Sequence, residues 1–168
     1  MIITVEDIDY LKGQQELLDS EIRKSKGIDD KTWEDMTFEH MTALAVEVGE
    51  FVNETKVFKY WSEKPVNENN LLDEAVDVIH FVMLMANKLG LPSERLEINE
   101  GDFVELDEDF QAKGVAYQLL GGVLSEPLSN TFFRVLLLVD YLGYTWEEVL
   151  DQYDLKNRIN FERLENGY

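Results

Sequence analysis

The chain has no cysteine and only two histidines, His40 and His80. That excludes disulfides, a thiolate nucleophile and cysteine-based zinc or iron–sulfur sites, and two histidines so far apart argue against a histidine-rich metal site. Any metal must therefore be held mainly by oxygen. Basic residues are also scarce: 15 Lys and Arg stand against 35 Asp and Glu, a formal charge of -20. Phosphate backbones would meet repulsion rather than release counterions, which argues against general nucleic-acid binding. No apolar run approaches the roughly 18 to 20 residues needed to cross a bilayer, and the start MIITVEDIDY lacks a basic head followed by an apolar stretch. The expectation is a soluble, cytoplasmic protein, in the host cytoplasm were it phage-encoded. With 168 residues and 45% hydrophobic content, the chain can bury one substantial core, so a single domain over 1–168 is expected.

Proline is rare too, occurring at Pro65, Pro92 and Pro127, each between periodic segments rather than inside one. Apolar residues recur at three- and four-residue steps from Val5 to Lys24, Thr32 to Trp61, Asn70 to Leu89, Glu108 to Leu124, Leu128 to Leu142, and Thr145 into the tail. Thr145 and Glu148 have the spacing of a capping box, and Gly90 before Pro92 makes a helix stop. These features predict an all-α helical bundle. Lys64 to Asn69 reads as a short connection that returns the third helix antiparallel to the second. The stretch from Ser93 to Phe110 holds eight acidic residues and one arginine with weak periodicity, and reads as an acidic loop or small excursion.

Carboxylates carry the chemical signal. Glu47 and Glu50 lie three residues apart, about 60° around a helix and roughly 4.5 Å along it. Both fall at the edge of the apolar face made by Leu44, Val48, Phe51 and Val52 rather than opposite it. Glu74 and Asp77 repeat the spacing on the next helix, where Ala75 to Ala86 is apolar nearly all round, broken only by Asp77 and His80. A buried carboxylate without a partner costs several kcal/mol or takes up a proton. No Lys or Arg follows on this helix until Lys88. Two acidic pairs facing each other would instead supply oxygen ligands to a hard divalent cation such as Mg²⁺. The competing reading is that these acids pair with Lys56, Lys59 or another helix, or face solvent.

The spacing ExxE followed by ExxD resembles the all-α nucleotide pyrophosphatase superfamily, which includes the dimeric dUTP diphosphatases and the MazG-like enzymes. Flanking blocks sharpen it. Asn53, Phe58, Lys59 and Trp61 resemble the NExxxFKxWS segment of the dimeric dUTP diphosphatases, and Asp73, Glu74, Asp77, His80 and Phe81 are similar to their EExxDxxHF pattern. Gln15, Leu18, Asp19 and Ile22 resemble QxxLDxxI, and YDLKNRINFERLENGY at 153–168 resembles YxxKNxxNxxRQxxGY, with Phe161 and Leu164 departing from it. The resemblance implies metal ligation by Glu47, Glu50, Glu74 and Asp77, with two or more Mg²⁺ ions. It also implies that Gln15, Asp19, Trp61 and His80 surround a uracil, that Phe81 lies against the deoxyribose, and that Lys59, Lys156, Asn160 and Arg163 reach the phosphates.

The activity so implied is magnesium-dependent hydrolysis of dUTP to dUMP and pyrophosphate, with dUDP a further substrate, and Glu50, or else Glu47, as the catalytic carboxylate that orients or deprotonates water. The resemblance further implies a homodimer, which would bury the apolar third helix. Two rival readings stand beside this one: a MazG-like or dCTP-directed diphosphatase, and a non-enzymatic acidic protein that binds a regulatory partner. The purpose of residues 90–150 is not legible.

Overall fold

A computed structural model describes residues 1–99, 101–102 and 109–167, with only the backbone described at 109 and 110. Among them are seven α-helices: α1 (Val5–Lys26), α2 (Asp30–Asp35), α3 (Thr37–Thr55), α4 (Glu68–Lys88), α5 (Asp109–Gly122), α6 (Leu128–Tyr141) and α7 (Trp146–Glu165). The bundle is all-α, as the periodicity predicts.

Local chemistry sets the helix ends. At α7 the Thr145 hydroxyl accepts from the Glu148 amide at 3.3 Å while the Glu148 carboxylate accepts from the Thr145 amide at 2.7 Å. This is the expected capping box, and Thr4 with Asp7 builds a second one at α1. After α4 the chain turns through Gly90 at φ 61, where the Leu91 amide donates to the Ala86 carbonyl at 2.8 Å.

The segment expected as one helix from Thr32 to Trp61 is two helices and a turn. Met36 separates α2 from α3, and α3 stops where Lys56 takes a left-handed conformation at φ 57. Tight turns follow, with the Lys59 amide donating to the Lys56 carbonyl and the Ser62 amide to that of Lys59. The connection to α4 therefore spans 56–67 rather than Lys64 to Asn69. The two helices still return antiparallel: Lys88, at the end of α4, reaches His40, near the start of α3.

Helix α4 is the centre of the bundle. Leu71, Ala75, Val76, Val78, Ile79 and the run from Val82 to Ala86 are buried, packed by α3, α6, α1 and α7. Burial of this length of apolar helix is a main contributor to folding, at about 25 cal/mol per Å² of apolar surface removed from water. Because the chain's own helices cover α4, its apolar character no longer argues for a dimer. Of the acidic excursion, Ser93–Arg95 forms a 3₁₀ turn and Ile98 exchanges two backbone hydrogen bonds with Ile3, both 2.9 Å. That bridge ties the excursion to the N-terminus. Residues 100 and 103–108 lie outside the described residues.

Candidate active site

Helices α1, α3, α4 and α7 enclose a cleft of about 530 Å³. Gln15 and Asp19 of α1 face it, as do Glu47 of α3, Asp77, His80 and Phe81 of α4, and Lys156, Asn160 and Arg163 of α7. Nine of the thirteen site residues expected from sequence thus converge on one concavity from four segments of the chain. The common cause is helical register: Gln15 and Asp19 are one turn apart, as are Asp77 and Phe81, and Lys156 and Asn160, so each pair shares a face.

At one end stand the carboxylates. Glu47, Glu50 and Glu74 each place an oxygen within 4.8 Å of the others'. Burial pushes the Glu47 carboxyl up to about 7, and the charges of Asp77, Glu50 and Glu74 push the same way against a smaller pull from Lys156. Glu74 is raised for the same reasons, burial first and then Asp77 and Glu50. Acids that raise one another's proton affinity lack enough positive charge among them. An oxygen-only donor set in that condition fits a hard divalent cation.

Asp77 is beside this trio but not of it. The Lys156 ammonium donates to Asp77 Oδ2 at 2.8 Å and to Asp73 Oδ2 at 2.8 Å. Asp77 is still raised, because burial outweighs the lysine, while Lys156 is raised by its two carboxylate partners in spite of burial. For Asp77 the structure bears out the competing reading of a partner on another helix: it comes from α7, about eighty positions away in sequence. Lys156, expected at the phosphates, is occupied here by two aspartates. Asp73 was matched to a motif without being assigned a role, although its place one turn before Asp77 puts it on the same face.

In the middle of the cleft the groups are buried and polar. Gln15 Nε2 donates to Asp19 Oδ1 at 2.7 Å, which leaves Gln15 Oε1 to accept from His80 Nδ1 at 2.7 Å. The hydrogen therefore sits on Nδ1, and His80 Nε2 is an acceptor, buried and without a protein partner. Burial, with Lys156 adding to it, drives the imidazole down to about 3, so the ring is neutral. It stacks on Tyr153 at 4.2 Å, and the Tyr153 hydroxyl donates to the Leu11 carbonyl at 3.2 Å. Asp19, only 2% exposed, is pushed up to about 7 by burial.

The far end holds residues that sequence reasoning missed. Trp33, Met36, His40 and Leu84 line it with Leu18, Ile22, Ile28 and Leu164. The Trp33 and His40 rings lie 4.5 Å apart, and Lys88 donates to the Trp33 carbonyl. His40 precedes Glu47 by two helical turns, a spacing that could have flagged it; Trp33 carries no comparable signal because the break at Met36 sets its position.

Lys59 and Trp61 are not in the cleft. They lie on the turn after α3, where Trp61 is 64% exposed and packs edge-on to Phe58 and Tyr60. A helix running to Trp61 would have made it a candidate core residue; the left-handed Lys56 turns it outward instead.

No match is found among curated proteins. A family model described as dUTPase matches residues 7–168. With nearly the whole chain aligned to that model, and with an acidic cluster beside a neutral polar pocket in an all-α bundle, this chain belongs to the all-α dUTPase family and is a dUTP diphosphatase.

Proposed function

We propose that the chain acts over 1–168 as one domain that hydrolyses dUTP, and also dUDP, with Mg²⁺ at the carboxylate cluster. Glu47, Glu50 and Glu74 would hold the ion, joined by Asp77 once Lys156 yields it; more than one ion fits four carboxylates. The cation supplies charge neutralisation to the phosphate oxygens and lowers the cost of activating water. Glu50, exposed at the cleft rim, is the candidate to orient water and accept its proton, with Glu47 the alternative. Lys156, Asn160 and Arg163 approach the phosphates from α7, and hydrogen bonding by such cations is stronger than that of neutral donors.

The observation that carries the uracil reading is the buried, unpartnered His80 Nε2. As an acceptor in a neutral ring on the cleft wall it can receive the N3–H of uracil once the wall yields enough to uncover it. Cytosine presents a lone pair at N3, so two acceptors would face each other in a dry site, and that mismatch costs a factor of about 10⁴ where the site's polar group is left unpaired. Gln15 and Asp19 hold the imidazole in this tautomer, and Phe81, half-buried in the cleft wall, is placed to meet the sugar. Lys59 and Trp61 would reach the ligand only by movement of the turn at 57–62 toward the cleft.

A homodimer is also part of the proposal. Its support is now a different surface: Tyr117 is 80% exposed, Leu120 lies one turn on, and Leu124 is exposed just beyond α5. The deciding experiment is turnover of dUTP, dTTP, dCTP and UTP with and without Mg²⁺, with Glu47→Ala as control. We expect dUTP preferred, no turnover after chelation, and a loss of at least about 100-fold in Glu47→Ala. A preference for dCTP would sink the uracil assignment.

A further inference from the structure

Lys156 donates to two carboxylates at once, and the two are not equivalent. Asp77 lies on the cleft wall, as Glu47 does, and is 23% exposed at its side chain. Asp73 is one turn away, outside the cleft lining, and its other carboxylate oxygen accepts from Gln152 Nε2 at 3.1 Å. Gln152 is itself one turn before Lys156 on α7. Asp73 is therefore bound to α7 at two points, by an amide and an ammonium, whereas Asp77 is bound to it only by the ammonium.

An ammonium has three hydrogens to donate, and two are used here. We propose that Asp73, braced by Gln152, is a positioning residue that keeps Lys156 in place while the lysine exchanges Asp77 for the substrate's phosphate. The inference rests on the reading of Asp77 as a cation ligand and of Lys156 as a phosphate contact. Before substrate arrives, Lys156 supplies positive charge to an acidic wall. When a divalent cation claims Asp77, the lysine loses one of its two anions. Without Asp73 the lysine would have Asp77 as its one carboxylate, and it would stay there and compete with the metal. With Asp73 it gives up Asp77 and keeps its place, and the freed hydrogen points to the nearest new anion. No bond is made or broken; one ion pair is traded for another.

The exchange predicts opposite effects on metal binding, and the same effect on KM, from Lys156 and from its partner Asp73. Mn²⁺ titrated calorimetrically into nucleotide-free wild type, Lys156→Met, Lys156→Gln and Asp73→Asn reads the first; KM and kcat for dUTP read the second. In both lysine variants Mn²⁺ should bind several-fold more tightly, because its competitor for Asp77 is gone, while KM for dUTP rises at least tenfold. In Asp73→Asn, Mn²⁺ should bind several-fold more weakly, because Lys156 now has Asp77 alone, and KM should rise with it. A brace that mattered only for folding would lower the melting temperature and leave Mn²⁺ affinity unmoved, which would overturn the proposal. So would lysine variants that bind Mn²⁺ no better than wild type. Failure of wild type itself to take up Mn²⁺ would remove the metal site, and the exchange with it; that result differs from the others in being present before any substitution.

Discussion

Replacing Asp19 with asparagine should change how stability depends on pH, and the structure sets both sign and size. Asn keeps an oxygen to accept from Gln15 Nε2, so the hydrogen bond to α1's own side chain survives while the ionisable group goes. In the folded chain burial holds the Asp19 carboxyl at about 7, against an ordinary value of 3.8. The folded protein therefore binds more protons than the unfolded one between those two values. Stability from this group is fully present below pH 3.8 and is lost as pH rises through 7. Each tenfold difference in proton affinity is worth about 1.4 kcal/mol, so between about pH 5 and pH 8 wild type should lose about 2.5 kcal/mol relative to Asp19→Asn. With only 2% of Asp19 exposed, solvent screening removes little of this. Urea unfolding of both proteins at several pH values is the assay, and the difference corresponds to about 1 M in midpoint for a chain of this size. Glu47, Glu74 and Asp77 are common to both proteins and cancel in the comparison. Parallel stability profiles would refute the reasoning, since they would mean that the cleft solvates the Asp19 charge despite its burial.

Two further outcomes follow from exposed residues. In a Trp33→Phe, Trp146→Phe background, nucleotide binding should shift the emission of Trp61, because a 64% exposed indole would lose water as its turn meets the ligand; an unchanged spectrum would take Trp61 and Lys59 out of the site. Sedimentation at micromolar concentration should show a dimer, and Leu124→Glu, at a position 64% exposed and so harmless to the fold, should shift it toward monomer. A wild-type monomer would refute the homodimer.

Most of the fold was legible because it depends on period. Apolar spacing found α1, α4, α6 and α7 nearly whole, and the Thr145 capping box was readable as two residues at a fixed distance. What period could not show was interruption. The apolar pattern runs on through Met36 and past Lys56, but the backbone departs from helix at both. Neither departure uses glycine or proline, so neither left a mark among the residue types. A left-handed lysine is decided by the contacts around it rather than by its own preference. That one residue moved Lys59 and Trp61 from an expected helix onto an exposed turn.

The site divides along a similar line. Residues one turn apart on a single helix were found together, since one helix's geometry suffices to join them. Lys156 with Asp73 and Asp77 could not be read that way, because the contact depends on how α7 lies against α4. The consequence is chemical. A search of α4 alone finds buried acid and no cation, and so assigns the whole deficit of positive charge to metal. With Lys156 counted, Asp77 has a cationic partner, although burial still raises it, and the case for metal moves to Glu47 and Glu74, raised by burial first and then by the acids around them. The case for a cation is thereby narrower and better placed: it rests on three carboxylates within 4.8 Å rather than on four, and it makes the fourth ligand conditional on a lysine letting go.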